Sequence, residues 1–411
     1  MTSGVRRRVQ HAAAGWSSRP HTPRPPIPAL DDADSGEGDT GLSIALLNWR
    51  DTAHPEGGGS EVYAEQLADG LATAGHRVTL FTAAYAGARA EEVRPSGVRV
   101  LRRGSHQSLY LHAPWQYRRG NLGRPDVVVE VHNGMPFLAR LWAHRRTPVV
   151  VLVHHVHREQ WHVVFGPARA RIGWWLEAWV APRVNRRCHY VAVSDVTRDE
   201  LVELGVASER IEVIHNGTPA LRSESIAKTD HPSLLVLGRL VPHKRVEIAL
   251  AVLGRLRAEF PGLTLTVAGR GWWENELRAE AARLGVADSV AFAGFVSDED
   301  RHRLYSQSWV SLVPSLKEGW GLVVVEAGVH GTPSVAFFGA GGVAESIVDG
   351  FTGLLAARDD VDAFTACTRR LLTETAEREQ MGRDARTYAG RFTWDATIKS
   401  FDALLGSVTD R

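Results

Sequence analysis

Apolar and polar positions follow one grammar along this chain, and partway along the grammar starts again. LSIALLNW (42–49) is an apolar run suited to a strand covered on both faces. The glycine loop HPEGGGSE (54–61) follows. VYAEQLADGLATAG (62–75) then sets Val62, Leu67, Leu71 and Ala74 at helical spacing, closed by Gly75. HRVTLFTA (76–83) predicts the next strand, and DVVVEVHN (126–133), PVVVLVHH (148–155), HYVAVS (189–194) and IEVIHNG (211–217) predict further ones. Strand, glycine loop, helix, strand is how a doubly wound α/β unit opens.

The polar stretch TPALRSESIAKTDHPS (218–233) reads as a linker. Beyond it, strands are expected at 233–240, 263–269, 289–295, 309–315 and 333–339, with helices at 246–260, 274–285 and 298–308. The last stretch reads as helical, ending in FTWDATIKSFDALL (392–405). The expectation is an α/β chain of two Rossmann-like doubly wound domains facing across a cleft. The first would span 41–215 and the second 216–391, with a terminal helix at about 392–411 packing back on the first.

Composition narrows the classes. A chain of 411 residues has room for two or three domains at roughly 100–200 residues each. Its net charge of +1 gives no bulk argument for nucleic acid. Cys188 and Cys367 alone make neither a disulfide framework nor a zinc site, and reduced thiols point to a cytoplasmic setting. No apolar run approaches the roughly 18–20 residues of a membrane span. Residues 1–40 are basic, then proline-rich, then acidic, lack the apolar centre of a secretory signal, and read as a disordered extension.

A doubly wound chain invites a dinucleotide reading. GRGWWE (269–274) and GAGGVAE (339–345) lack the third glycine and do not open the first unit, so they read as strand-to-helix turns. GGGSE (57–61) is more informative, because glycines before a helix let backbone amides approach an anion. GRLVPHKR (238–245) sets Arg239 and Lys244 just past a strand end, at the binding edge of an open sheet.

SLKEGWGLVVVEAG (315–328) carries two glutamates in an apolar run. Gly319 and Gly321 put Glu318 on a loop, and LVVVEAGVHG (322–331) begins a helix whose first amides have no intrahelical partner. Those amides suit a diphosphate, while Glu318 and Glu326 suit the hydroxyls of a ribose or hexose. Unpaired carboxylates in such surroundings are costly, which favours a polyol partner.

PSLKEGWGLVVVEAGVHGTPSVA (314–336) resembles the E-x7-E signature of retaining glycosyltransferases of family 4, which have the two-domain GT-B fold. GGGSE, the strand ending in His154, VAVSDVTRDELVELGV (191–206), IEVIHNG, GRLVPHK and GGVAESIVDGFTGLL (341–355) fall in that family's order. The resemblance implies that Glu326 binds the nucleotide ribose and Glu318 lies by the donor sugar. It implies that amides of Trp320, Gly321 and Leu322 contact sugar and phosphate, and that Arg239 and Lys244 neutralise the diphosphate. Phe295 and Val296 would line the base, Gly58 and Gly59 face the diphosphate, and His154 reach the donor sugar and the acceptor face. Trp320 stands where phenylalanine is commoner and His330 near a usually small position, and both are expected to alter the sugar pocket.

The implied activity is transfer of a hexose from a nucleotide-diphosphate sugar to a hydroxyl of a glycan, glycolipid or secondary metabolite, with mannose slightly favoured. The alternatives are a nucleotide-sugar 2-epimerase of the same fold and a non-catalytic sugar-nucleotide binder. No cofactor and no metal are expected. HHVH (154–157) lacks metal-ligand spacing, and DAD (32–34), DED (298–300) and DVD (360–362) read as tail or helix caps. ARARIGWWLEAWVAPRVNRR (168–187) reads first as an acceptor-side helix packed on the first sheet, and alternatively as a peripheral membrane contact at the inner face.

Overall fold

A computed structural model describes residues 41–54, 57–158, 160–161, 166–219 and 226–410. The expected extension, the DAD triplet and the middle of the expected linker (220–225) lie outside the described residues.

The first sheet contains β1 (Ser43–Leu47), β2 (Arg77–Thr82), β3 (Glu91–Val93), β4 (Arg99–Arg102), β5 (Val127–His132), β6 (Val149–Val153), β7 (His189–Ala192) and β8 (Ile211–Val213). Their order is β3-β4-β2-β1-β5-β6-β7-β8, parallel except for the β3–β4 pair. Side chains along β1 alternate between two cores. Ile44 and Leu46 join the helices Gly59–Thr73 and Trp394–Thr409, whereas Ala45 and Leu47 face the side of Leu109 and Leu201. Burial on both faces is why β1 reads as an unbroken apolar run.

The second sheet contains β9 (Ser233–Leu237), β10 (Thr264–Ala268), β11 (Val290–Gly294), β12 (Val310–Val313), β13 (Ser334–Phe337) and β14 (Gly353–Ala356), all parallel, in the order β11-β10-β9-β12-β13-β14. That is the Rossmann strand order, with its switch point between β9 and β12. Strands β3, β4 and β14 and the helix Leu109–Arg118 are not predicted by the pattern. EEV is short and charged, as edge strands are, RVLR beside it is charged at both ends, and Arg102 of β4 bonds Asp51 (2.5 Å) and Glu92 (2.6 Å).

The chain passes between the lobes at two adjacent points. Thr218 donates its amide to Phe392 O (2.9 Å), and Thr397 Oγ1 donates to His215 O (2.8 Å). The described end of the expected linker is not free. Lys228 Nζ donates to Ser308 O (2.8 Å) and to Thr332 Oγ1, and burial pushes its pKa down to about 7.

The terminal helix Trp394–Thr409 lies on the Gly59–Thr73 helix and sends Phe401 and Leu405 into the first core. At the crossing a Cβ on Gly70 would fall 2.1 Å from Ile398 Cδ1 and 2.5 Å from its Cγ1. Gly70→Val is expected to lower stability by about 1–3 kcal/mol through overpacking. The urea midpoint should fall with the slope unchanged; an unchanged midpoint would show that the two helices do not depend on this contact.

Candidate functional site

The site is built where loops leave the carboxyl ends of the two sheets. A pocket at the β9/β12 switch point is lined by Gly238, Arg239, Lys244, Ser315, Glu318 and Val323 among others. Lys244 closes the short helix Pro242–Lys244, and the left-handed Arg245 (φ 53°) turns the chain into the helix Val246–Leu256. Lys244 Nζ bonds Glu318 Oε1 at 2.5 Å, and Ser315 Oγ donates to the same oxygen at 2.6 Å. Burial pushes the Glu318 carboxyl up, but Lys244 and the Ser315 hydroxyl outweigh it and leave the pKa lowered.

Glu318 sits on a loop, as its glycines require. Its amide donates to Ala340 O (3.0 Å) and its carbonyl accepts from Gly342 N (3.0 Å). Gly321, with φ 86°, opens the helix Leu322–Val329, which no side chain caps. Val324 of that helix belongs to the core of the second lobe, Val325 and Val329 to that of the first. A helix wedged between two cores is apolar nearly all round, and this accounts for the run LVVV. Glu326 is its buried exception. Tyr305 Oη donates to Glu326 Oε2 (2.9 Å) and Arg301 lies 3.9 Å from Oε1. Burial nevertheless raises the Glu326 pKa.

Neither glutamate is therefore unpaired, which corrects the premise that an external polyol alone could satisfy them. Trp320 and His330 are corrected as well. The Trp320 indole is 2 % exposed and packs on His215 (4.3 Å between ring centroids) and Phe392 (4.9 Å), away from the pocket. His330 lies behind Glu326, with Nδ1 on its carbonyl (2.7 Å) and Nε2 against His302 (2.6 Å). Phe295 and Val296 follow β11. Phe295 is exposed with the Arg270 guanidinium 5.9 Å from its ring, and Val296 packs with Tyr305 and Ala327.

The first lobe meets this site closely. A Cβ on Gly58 would lie 3.1 Å from Arg239 Nε, one on Gly59 would lie 3.8 Å from Leu322 Cδ2, and one on Gly319 would lie 2.1 Å from His154 O. Only glycine fits at Gly319. The His154 ring meets Tyr63 edge-on at 5.1 Å, and its Nε2 is buried with no hydrogen-bond partner among the described residues. His155 turns instead to Gln160 (3.0 Å) and His157 to Glu177 (2.9 Å). In the other motifs weighed for metal, Asp360 caps its helix through Ala363 N (2.8 Å), and Asp298 and Asp300 lie in a first turn capped by Ser297. Among the described residues, the ligating atoms of Asp195, His215 and Glu345 come together, but both Glu345 oxygens already accept amide hydrogens.

Sequence reasoning missed three elements here. Glu61, quoted in GGGSE but given no role, accepts from Arg50 Nε (2.9 Å) and Gly58 N (2.8 Å). Burial pushes its carboxyl up, yet Arg50 and, by less, Arg239 hold it below the usual range. A glutamate three residues into a helix was the available signal. Lys317 crosses the seam to Val156 O (2.8 Å) and to Glu200. Glu345 crosses it too, accepting from Asp195 N (2.9 Å) and Val196 N (2.7 Å) at the start of the helix Asp195–Glu203, with His215 3.6 Å away.

Two outcomes follow. Glu345→Ala leaves that helix end without its anion and should weaken lobe closure by about 1–3 kcal/mol. X-ray scattering should show a larger radius of gyration, and identical curves would remove Glu345 from that role. Burial lowers the His154 pKa from 6.5 to about 4, Glu61 raising it and His157 lowering it by less. Below pH 6.5 the unfolded chain therefore takes a proton that the folded chain refuses, and stability is lost as the pH falls towards 4. Between about pH 7 and about pH 5 this ring alone accounts for about 2 kcal/mol, so urea midpoints of His154→Asn should fall less than those of the wild type.

Residues 218–388 match the family described as Glycosyl transferases group 1, and residues 57–220 match Glycosyltransferase Family 4. A glycogen synthase of Mycobacterium tuberculosis is 34% identical over 51% of this chain and 54% of its own length, so the chain spans about half of that relative. A GDP-mannose-dependent alpha-(1-6)-phosphatidylinositol monomannoside mannosyltransferase of Mycolicibacterium smegmatis is 29% identical over 82% of this chain and 91% of its own. The structure of Anabaena HepE in complex with UDP-glucose superposes with a TM-score of 0.70 at 19% identity, covering 89% of this chain and 100% of that one. Matched by two adjoining family models from residue 57 to residue 388, and folded as two doubly wound lobes of the GT-B kind, the chain belongs to the family 4 glycosyltransferases.

Proposed function

We propose that this chain transfers a hexose from a nucleotide-diphosphate sugar to an acceptor hydroxyl, with retention of anomeric configuration and without a metal ion. The observation that carries the proposal is the convergence, at the β9/β12 switch point, of Arg239, the Lys244–Glu318 pair and the uncapped opening of the helix Leu322–Val329, with Gly58 beside Arg239 and Gly59 beside Leu322. Cations and helix amides at one point suit a diphosphate, and they supply the charge stabilisation that a metal supplies elsewhere. The UDP-glucose bound to HepE and the GDP-mannose used by the mycobacterial relative support a nucleotide-sugar donor. That relative lends mannose a slight preference.

In this reading the donor lies along the second lobe. Phe295 and Val296 flank the base, Glu326 accepts from the ribose hydroxyls, and Glu318 accepts from the sugar. Arg239, Lys244 and the amides of Trp320, Gly321 and Leu322 stabilise the departing diphosphate. His154, neutral at physiological pH, offers its unpartnered Nε2 to the sugar on the acceptor side. Glu61, the carboxylate beside the glycine loop, is tied to Arg50 and Gly58, which makes it a poor nucleophile. The acceptor hydroxyl therefore attacks from the face the diphosphate leaves, through an oxocarbenium-like state, and its proton passes to the leaving phosphate.

A thermal-shift panel of GDP- and UDP-sugars, with and without EDTA, tests the donor. One sugar nucleotide at 100 times its Kd should add about 2.7 kcal/mol, and EDTA should leave the shift unchanged. Glu326→Ala should abolish the shift, while Arg239→Ala should lower kcat by about 10²–10³ with product formed only when acceptor is present. Wild-type turnover in both variants, or an altered sugar nucleotide formed without acceptor, would overturn this reading.

A further inference from the structure

The segment 168–187 splits into two faces. The helix Pro167–Trp175 runs into a π-helical turn, Leu176–Val180, and then the short helix Ala181–Val184. The inner face is fixed. Gly173 lies against Trp161, where a Cβ would meet the indole at 2.4 Å. Glu177, 3 % exposed, accepts from His157 N (3.0 Å), from the His157 ring (2.9 Å) and from Trp161 Nε1 (2.6 Å). The outer face carries Ile172, Trp175 and Trp179, which are 60 %, 52 % and 49 % exposed. The two indoles stack at 5.9 Å with an interplanar angle of 18°, and the Arg183 guanidinium lies 4.0 Å from the Trp179 ring. Turning these rings inward would break the bonds of Glu177, so their exposure is built into the fold.

Charge indicates what covers them. Between residues 111 and 190 the chain has 12 arginines and 4 carboxylates, a local balance of +8 within a protein of net charge +1. Glu130 and Glu177, two of those carboxylates, are buried. Arg169, Arg171, Arg183, Arg186 and Arg187 of the same segment are all exposed, and Arg183 lies on Trp179. A second copy of this face would bring like charges together. An anionic lipid surface would instead take the indoles at its headgroup level and pair its phosphates with the arginines.

We infer that the face formed by Ile172, Trp175, Trp179 and the surrounding arginines docks this protein on an anionic lipid bilayer. The contact is superficial, since no helix among the described residues is long and apolar enough to cross a membrane. Through Glu177 the docked turn is bonded to the loop that runs from His154 to His157, so the bilayer lies on the far side of an element that also borders the cleft. An acceptor anchored in lipid would then reach the first lobe without leaving its membrane. The docking itself does not depend on which sugar is transferred.

Co-sedimentation of the full chain, without donor, tests this. The wild type should pellet with vesicles of phosphatidylcholine mixed with phosphatidylglycerol, not with phosphatidylcholine alone, and rising salt should release it. The double variant Trp175→Ser, Trp179→Ser should lower the partition coefficient by about tenfold or more. Arg169→Glu with Arg171→Glu should do likewise. Circular dichroism and the melting temperature should match the wild type in both, since these side chains are exposed. No pelleting with the anionic vesicles, or equal pelleting by the Trp double variant, overturns the proposal. So does a wild-type dimer in light scattering that the Trp double variant abolishes, because the face would then be a contact between copies.

Discussion

Charge compensation at the seam between the lobes is the constraint on which the arrangement of this protein rests. Three carboxylates stand at the seam between the lobes, Glu61 and Glu326 buried and Glu318 half-buried, and each has a partner. Glu318 has Lys244 and Ser315, Glu326 has Tyr305 and Arg301, and Glu61 has Arg50 and the Gly58 amide. A carboxylate alone at such depth would take up a proton or push the lobes apart. The partners also fix the elements that carry the carboxylates, a loop for Glu318 and helices for Glu326 and Glu61. Lys244 ends a short helix fixed by a left-handed residue, and Tyr305 is fully buried behind β9. The groups proposed to meet a donor are therefore held in place before it arrives, which lowers what binding must spend on ordering them.

The seam is apolar as well as charged. The helix Leu322–Val329 lends Val324 to one core and Val325 and Val329 to the other, and Trp320 extends the second of these towards His215 and Phe392. The lobes thus share packed side chains close to the site, while Glu345 and Lys317 cross the same seam with charged groups. The reciprocal helix contact of Glu345 is local and electrostatic, so it can break without unpacking either core.

Much of this fold is legible in the amino-acid sequence alone. Strands covered on both faces announce themselves as apolar runs, as β1, β5, β6, β9 and β12 all do. The glycine loop, the basic pair and the two glutamates each sit at a strand end or a helix start, where backbone chemistry singles them out. What the pattern does not convey is who partners whom. Lys244 reaches Glu318 across 74 positions and Glu345 reaches Asp195 across 150, and no local period encodes such separations. Edge strands such as EEV, whose charges pair across the sheet, carry no apolar signal. Trp320 misleads for a related reason. A large ring beside a site looks like part of its lining until the neighbouring core is seen to claim it.

The double crossing at Thr218 and Phe392 has a further consequence. Because both passages lie side by side, the stretch from 218 to 391 is topologically an insert in a first lobe whose remaining pieces are continuous in space. The second lobe can be exchanged as a cassette between these points, leaving the framework of the first whole. A chain cut short at the second crossing is a different object, for it strips Phe401 and Leu405 from the β1 core and leaves that lobe unable to close over its own hydrophobic face.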